Sequence, residues 1–239
     1  MYDGSNYAGW QRLGKQDKKP SIQYILEGCI SECLGETIKI IGSGRTDAGV
    51  HALGQVANFH CQSRLAVDFL RKNINNKLPE DIVILEAEDV EHDFHSRYSA
   101  KLKTYEYWID IRETPNVFTR KYAYHSSKPL NLEAMRKASK YMIGTHDFKA
   151  FSTDRKGNKS TIRTVEKITI VLQENNIRIR ITGNGFLYNM VRIIVGTLLE
   201  IGEGLRIPED IPIILNSKSR QMAGITVSSH ALFLVDVRY

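Results

Sequence analysis

SGRTDAGVHALGQVANF, residues 43–59, forms a glycine-lined segment between two apolar runs, 38–41 and 56–59. It carries Arg45, Asp47 and His51, although a strand-to-strand turn needs little more than Gly or Asn. Glycine has no Cβ, so the backbone of such a segment can approach a ligand closely. The pattern predicts strands at 37–41 and 55–60, with a functional loop between them.

Size and composition indicate a globular protein. The chain has 239 residues, of which 42% are hydrophobic and 25% charged. No apolar run approaches the roughly 20 residues of a membrane span, and the first residues lack the basic-then-apolar pattern of a secretory signal. Three scattered cysteines are too few for a disulfide framework. We therefore expect a cytoplasmic protein that makes no membrane contact.

The charge is modestly basic. Lys and Arg total 33 against 27 Asp and Glu, which gives a net charge of +6. Two zones concentrate this charge: the polar stretch 149–163, and a second zone that contains Arg97, Lys101, Lys103, Arg112, Arg120 and Lys121. Charge alone leaves two interpretations open, a nucleic-acid contact and a solvated surface.

The remaining pattern predicts two successive α/β (α+β) halves, each with helices against an antiparallel sheet. A first helix is predicted at 22–34, because Ser21 suits the N-cap and Gly35 the C-terminal cap. Further predicted helices lie at 67–77, 131–144 and 186–200, and further strands at 81–90, 103–111 and 231–239, with a hairpin at 164–182. The helix at 186–200 is the most apolar and is expected to be the most buried.

Metal and phosphate chemistry are not predicted. Cys29 and Cys33 fall on the apolar stripe of a helix, and the histidines near position 92 have no second cluster to complete a metal site. Asp47 stands where a dinucleotide-binding fingerprint needs its third glycine, and no Gly-Lys-Ser/Thr follows. We expect no metal and no cofactor.

Asp47 and Arg45 are the remaining candidates for chemistry. One interpretation is a loop carboxylate that pairs with its neighbour or caps a turn. The other is a carboxylate nucleophile that a cation keeps ionised. The residue types alone do not choose between them.

Six strings along the chain carry a family resemblance: YDGSNYAGWQ (2–11), GSGRTDAGVHALGQVANF (42–59), KTYEYWI (103–109), GTHDFKAF (144–151), GFLYNMVRIIVGTLLEIG (185–202) and LFLVDVRY (232–239). In this order they resemble the TruA family of tRNA pseudouridine synthases. The resemblance covers nearly the whole chain, and the string GRTDAGVHA is long and specific.

This resemblance implies two similar α/β halves, 1–100 and 101–239, joined into one central sheet with the active-site cleft between them. It also implies a homodimer that isomerises uridine to pseudouridine in the anticodon arm of tRNA. The family's catalytic aspartate falls on Asp47. Its substrate-binding residues fall on Arg45, Tyr105, Arg192 and Leu232.

The implied chemistry explains these residue types. A carboxylate can attack the sugar C1′ or the ring C6, or assist loss of a C2′ proton, and each route needs an ionised Asp47. The target base must first be flipped out of its stack. Arg45 could fill the vacated space, and Tyr105 could stack on the extruded uracil. Arg192 lies on an apolar helix and is expected to pair with a carboxylate.

Two departures from the family pattern bear on substrate range. The chain starts at MYDG, where family members have several residues of a first strand. Ile225, Ser228 and Ala231 stand where the family commonly carries Pro, Pro and Gly, whereas Leu232 matches. The C-terminal departures leave open a synthase that acts at another RNA site. The other alternative is an RNA-binding protein without catalytic activity, against which the intact Asp47, Tyr105 and Arg192 argue.

Overall fold

A computed structural model describes residues 1–11, 19–154 and 160–239. The chain divides into two compact units. Unit 1 comprises Met1–Lys101 and Leu234–Tyr239, and unit 2 comprises Leu102–Phe233. The last strand, β9 (Leu232–Arg238), begins in unit 2 and continues into unit 1.

Unit 1 combines two helices with short strands. Helix α1 spans Ile22–Leu34 and α2 spans Val67–Asn75. Strands β1 (Ile41–Gly42) and β3 (Ala57–Asn58) pair antiparallel and flank β2 (His51–Ala52) in sequence. The backbone N–H of Leu53, just after β2, donates to the Leu234 carbonyl in β9.

The first helix confirms its sequence signals. The Ser21 hydroxyl accepts from the Tyr24 N–H, as an N-cap should. Gly35 ends the helix in the left-handed region at φ 69°, where a residue without Cβ has no steric penalty. Cys29 and Cys33 are both partly buried in this helix.

The predicted strands of unit 1 are wrong in extent. Residues 38–40 do not pair with a strand, because the Ile38 N–H donates to the Ser31 hydroxyl and the Ile40 N–H to the Glu27 carboxylate, both on α1. Segment 81–90 forms only an isolated bridge at Ile82. Its Ile84 backbone is bonded in both directions by the Asn75 amide, which replaces a neighbouring strand.

Unit 2 is built on a larger sheet, in which β4 (Leu102–Asp110) pairs with β8 (Asn176–Gly183), β8 with β7 (Ile162–Gln173) and β7 with β6 (Gly144–Asp147), all antiparallel. The short β5 (Tyr124–His125) pairs parallel to β4, against the expectation of a purely antiparallel sheet. The predicted hairpin of β7 and β8 is confirmed, and Glu174 in its turn has φ 51°.

Three helices pack in unit 2: α3 (Leu132–Lys140), α4 (Met190–Gly202) and α5 (Asp210–Ser217). Eleven of the thirteen residues of α4 are buried, which confirms it as a core helix. It starts later than predicted, because Asn189 adopts a left-handed conformation at φ 61°. Helix α3 ends before Gly144, since the following N–H groups switch to i−3 acceptors.

The mixed α/β class predicted from the sequence is confirmed. Within the described residues, no helix is both long and apolar enough to cross a membrane.

Candidate active site

Polar contacts within unit 1 hold the glycine-lined loop in shape. The Ser43 N–H donates to the Val56 carbonyl at 2.8 Å, which closes the base of the loop. Gln55 then spans the loop: its Oε1 accepts from the Ser43 hydroxyl at 2.7 Å, and its Nε2 donates to the Gly44 carbonyl at 2.9 Å. The backbone just before Arg45 is therefore fixed by a side chain from the far end of the same motif.

Tyr2 supports the middle of the loop 43–59 through its hydroxyl group. Its hydroxyl lies 2.7 Å from the Thr46 hydroxyl and 3.4 Å from the Gln55 Nε2. Burial raises the pKa of Tyr2 to about 12, although these bonds act in the opposite direction. The phenol therefore stays protonated at neutral pH, and it can donate to Thr46 while accepting from Gln55.

The N-terminal segment also lies close to the loop backbone. The Trp10 N–H donates to the Thr46 carbonyl at 3.0 Å. Gly9 has φ 99°, and a Cβ at this position would lie 2.6 Å from the same carbonyl oxygen. Only glycine fits here, so the resemblance strings 2–11 and 42–59 form one packed structure.

Arg45 and Asp47 extend from this rigid base. Arg45 is exposed, and Asp47 is partly buried. The Asp47 carbonyl accepts from the Val50 N–H at 3.1 Å in a turn that Gly49 closes at φ 78°. The loop backbone is therefore hydrogen-bonded at Gly44, at Thr46 and at Asp47, so both side chains extend from a fixed backbone. This arrangement suits a preorganised carboxylate and an adjacent cation.

His51 has a structural position. Its side chain is 2% exposed, and its Nδ1 lies 3.0 Å from both the Gly4 N–H nitrogen and an Asp3 carboxylate oxygen. The Gly4 N–H donates to Nδ1, so His51 supports the backbone of Gly4 beside the Asp3 carboxylate.

Tyr105 lies on β4 of unit 2, opposite Ile181 of β8. Its side chain is 8% exposed and packs edge-on against Phe186, with ring centroids 5.2 Å apart and an interplanar angle of 85°. Phe186 therefore fixes the orientation of the Tyr105 ring. Edge-to-face packing of this kind is the favoured geometry for aromatic pairs.

Tyr107, two residues along the same strand, is fully buried and its hydroxyl donates to the Ser228 carbonyl at 3.0 Å. Burial raises the pKa of Tyr107 well above its ordinary value, so the phenol remains a donor. The two tyrosines therefore have different partners: Tyr105 packs on Phe186, whereas Tyr107 anchors the segment around Ser228.

Arg192 is one of the two residues of α4 that are not fully buried. Its Nε donates to the Val227 carbonyl at 2.7 Å, and its Nη1 donates to the Asn189 Oδ1 at 2.9 Å. The Asn189 Nδ2 in turn donates to the Thr153 hydroxyl at 2.8 Å. Unit 2 therefore orients the guanidinium through neutral acceptors, and its pairing with a carboxylate stays a prediction.

Leu232 and the three departures lie near the end of unit 2. Leu232 is 5% exposed and opens β9, and Ala231 is fully buried before it. The Ile225 N–H donates to the Glu200 carboxylate at 2.9 Å, a bond that proline cannot make. Ser228 supplies the carbonyl that anchors Tyr107. The Ile225 bond therefore ties this segment to α4 close to the Val227 carbonyl that bonds Arg192.

The basic residues differ in availability. Lys149 is exposed, whereas Arg163 donates to the backbone carbonyls of Ser160 and Ile162. Arg155, Lys156 and Lys159 lie outside the described residues. In the second zone the Arg112 guanidinium donates two hydrogen bonds of 2.8 Å to the Asp110 carboxylate, and these bonds lower the pKa of that carboxyl. The zone's exposed cations are Arg97, Lys101, Arg120 and Lys121.

In the part of the chain that the structure describes, no three His, Cys, Asp or Glu side chains are grouped to hold a metal ion.

Sequence reasoning missed Gln55, Phe186 and Asn189. All three belong to strings that carry the family resemblance, but nothing in their residue types separates a support for the site from ordinary packing.

Comparison with known proteins places these features in one family. A family model described as tRNA pseudouridine synthase matches residues 1–99 and 138–239. The tRNA pseudouridine synthase A of Thermoanaerobacter sp. (strain X514) is 48% identical over 238 residues, covering 100% of this chain and 96% of the relative. The tRNA pseudouridine synthase A 2 of Bacillus anthracis is 44% identical over 239 residues, covering 100% and 97%. This chain belongs to the tRNA pseudouridine synthase family.

Proposed function

We propose that this protein isomerises uridine to pseudouridine in the anticodon arm of tRNA, with no cofactor, in the cytoplasm. The observation that carries the proposal is the full-length similarity to proteins named tRNA pseudouridine synthase A. The reaction breaks the N1–C1′ bond of the uridine and joins C5 to C1′. N1 gains a proton and C5 loses one, so the product is an isomer and no oxidant, reductant or co-substrate is consumed.

In this proposal Asp47 is the catalytic carboxylate of the half formed by residues 1–100. The loop contacts of Ser43, Gln55 and Tyr2 hold its backbone before RNA arrives. Exposed Arg45, two residues away, is assigned to the RNA backbone and the space left by the flipped base. Preorganisation of this kind removes reorganisation cost from the chemical step.

Arg192, Tyr105 and Leu232 are assigned to the substrate side of the half formed by residues 101–239. Arg192 would pair with Asp47 and keep it ionised, because an adjacent cation favours the charged form of a carboxylate. Tyr105 would support the extruded uracil on a ring that Phe186 already orients. Leu232 would supply an apolar contact to the uracil.

The experiment is incubation of the pure protein with unmodified tRNA transcripts, followed by mapping of pseudouridine at nucleotide resolution. Pseudouridine in the anticodon arm supports the proposal. Pseudouridine at another position would establish the alternative of a synthase with a different RNA site, to which Ile225, Ser228 and Ala231 would then be relevant. Tight tRNA binding without any pseudouridine would establish a catalytically silent RNA-binding protein.

A comparison of Tyr105 with Tyr107 tests the stacking role. We expect Tyr105→Leu, which keeps an apolar side chain of moderate volume, to lower turnover by about 10–100-fold, since base stacking is worth about 1–3 kcal/mol. Tyr107→Phe should instead cost stability, about 0.5–1.5 kcal/mol for the lost bond to Ser228, while turnover persists. Turnover and thermal unfolding of both variants decide the point. Equal turnover in wild type and Tyr105→Leu would contradict the assignment.

We also propose that the protein acts as a homodimer, as the family resemblance implies. A tRNA is long compared with one chain of 239 residues, so a two-fold pair lets one subunit hold the tRNA body while the other modifies the arm. We expect light scattering to give the mass of two chains, and a full tRNA to be modified much faster than its isolated anticodon stem-loop. A monomer with full activity, or equal rates on both RNAs, would refute this prediction.

A further inference from the structure

We propose that Asn189 is a positioning residue that sets the orientation of the Arg192 guanidinium, a role that rests on the function proposed for Arg192. Asn189 lies directly before α4, in the string GFLYNMVR, and no role follows for it from the sequence. Three observations support this role: the backbone conformation of Asn189, the hydrogen bonds of its side-chain amide, and the position of the segment that contains Val227.

The backbone of Asn189 is unusual for its position. It precedes the first residue of α4, where asparagine commonly caps the helix by accepting from an N–H of the first turn. Here the side chain makes no capping bond. Instead φ is 61° and ψ is 5°, a left-handed conformation that asparagine tolerates better than other non-glycine residues. The chain thus adopts a sparsely populated conformation and gives up the cap.

The amide of Asn189 uses both of its ends. Its Oδ1 accepts from the Arg192 Nη1 at 2.9 Å, and its Nδ2 donates to the Thr153 hydroxyl at 2.8 Å. The Thr153 N–H also donates to the Tyr188 carbonyl. Arg192 fixes which end of the amide faces it, because a guanidinium can only donate and therefore needs the carbonyl end. The amino end is then left to donate to the Thr153 hydroxyl, which can accept.

The second support of the guanidinium is the Val227 carbonyl, which accepts from Nε at 2.7 Å. Its segment is held tightly against α4: the Gly224 N–H donates to the Thr197 hydroxyl, and a Cβ at Gly196 would collide with the Ile225 carbonyl. Two fixed acceptors on different edges of a planar group define its plane. A carboxylate bonded to the other N–H groups then meets a guanidinium of set orientation.

The test compares Asn189→Gly with wild type and with Glu174→Gly. Glycine keeps the left-handed backbone without strain and removes only the amide. We expect Asn189→Gly to lower kcat for pseudouridine formation by about 100-fold, the cost of a small misplacement of a catalytic group. The affinity for tRNA should be retained, and the melting temperature should fall by only a few degrees for the lost amide bonds. Glu174→Gly makes the same change at the β7–β8 turn, where φ is 51°, and should leave kcat unchanged.

A double-mutant cycle distinguishes positioning from a general structural role. Lysine has no planar fork for Asn189 to orient, so Asn189→Gly should change kcat little in an Arg192→Lys background. Equal losses in both backgrounds, or an unchanged kcat in the single variant, would overturn the inference.

A readout without turnover separates this inference from the proposed function. We expect faster solvent exchange of the Arg192 guanidinium protons in Asn189→Gly than in wild type, measured by NMR with labelled arginine. Unchanged exchange would overturn the positioning role even in an active enzyme. If exchange accelerates but wild type forms no pseudouridine on any tRNA, the orientation of Arg192 by Asn189 is supported and only the proposed function fails.

Discussion

Asp47→Asn is expected to abolish pseudouridine formation while the protein still folds and binds tRNA. The substitution keeps the shape of the side chain and removes its charge, so every proposed route loses its ionised carboxylate. We expect turnover to fall by about 10⁴-fold or more, the scale seen when a catalytic triad member is removed from a protease. The Ser43, Gln55 and Thr46 contacts that shape the loop do not involve the altered group.

Two companion variants make this result decisive. Asp47→Ala should be equally inactive, and it excludes activity recovered when the introduced asparagine deamidates back to aspartate. Asp89→Asn removes an exposed carboxylate from the same unit and should keep full activity. Pseudouridine release from labelled tRNA gives turnover, and filter binding gives affinity. Turnover of Asp47→Ala above the protein-free background would refute the catalytic assignment.

The sequence predicted best those elements whose signals are local. Helix α1 begins and ends at the residues that its caps, Ser21 and Gly35, indicate. The β7–β8 hairpin follows from alternation, because alternate residues of β8 are buried. Strand β4 follows from the same alternation in sequence, although four successive residues, 104–107, are buried and both faces are covered. In each case the backbone N–H and C=O groups pair within the helix, or with a neighbouring strand that the sequence pattern also predicts.

The failures share a different physical cause. Segments 37–41 and 81–90 alternate like strands, yet three of their N–H groups donate to side chains of Glu27, Ser31 and Asn75 instead of to a neighbouring strand. The spacing of apolar residues indicates which side chains face the core. It does not indicate which group accepts the hydrogen bond of each backbone N–H. A helix side chain can replace a strand without any change in the pattern.

The candidate site divides in the same way. Asp47 and Arg45 could be singled out because charged residues in a glycine-lined loop have no packing explanation. Gln55 and Asn189 could not, since their importance lies in hydrogen bonds to residues distant in sequence, such as Ser43 and Thr153. Tyr105 and Tyr107 looked equivalent until their separate partners were known.

Arg192→Leu is the variant for which the proposal predicts a loss of catalysis without a loss of fold. Leucine suits a helix that is otherwise almost entirely buried, so we expect the fold to be retained. The Val227 carbonyl and the Asn189 amide lose their donor, at a cost of about 1–3 kcal/mol. For a chain of this size that lowers the melting temperature by roughly 2–12 °C.

Catalysis should suffer far more. If Arg192 keeps the Asp47 carboxylate ionised and oriented, its removal should lower kcat by about 10²–10³-fold, the scale of one preorganised electrostatic contact. Arg192→Lys should fall between, because it keeps the charge and cannot bond Val227 and Asn189 together as a fork does. Ser139→Ala is the control: it also loses a buried bond within unit 2, to the Arg136 carbonyl of α3, and it should retain turnover. If Arg192→Leu and Ser139→Ala lose stability and turnover in the same proportion, Arg192 supports only the fold, and the pairing with Asp47 is wrong.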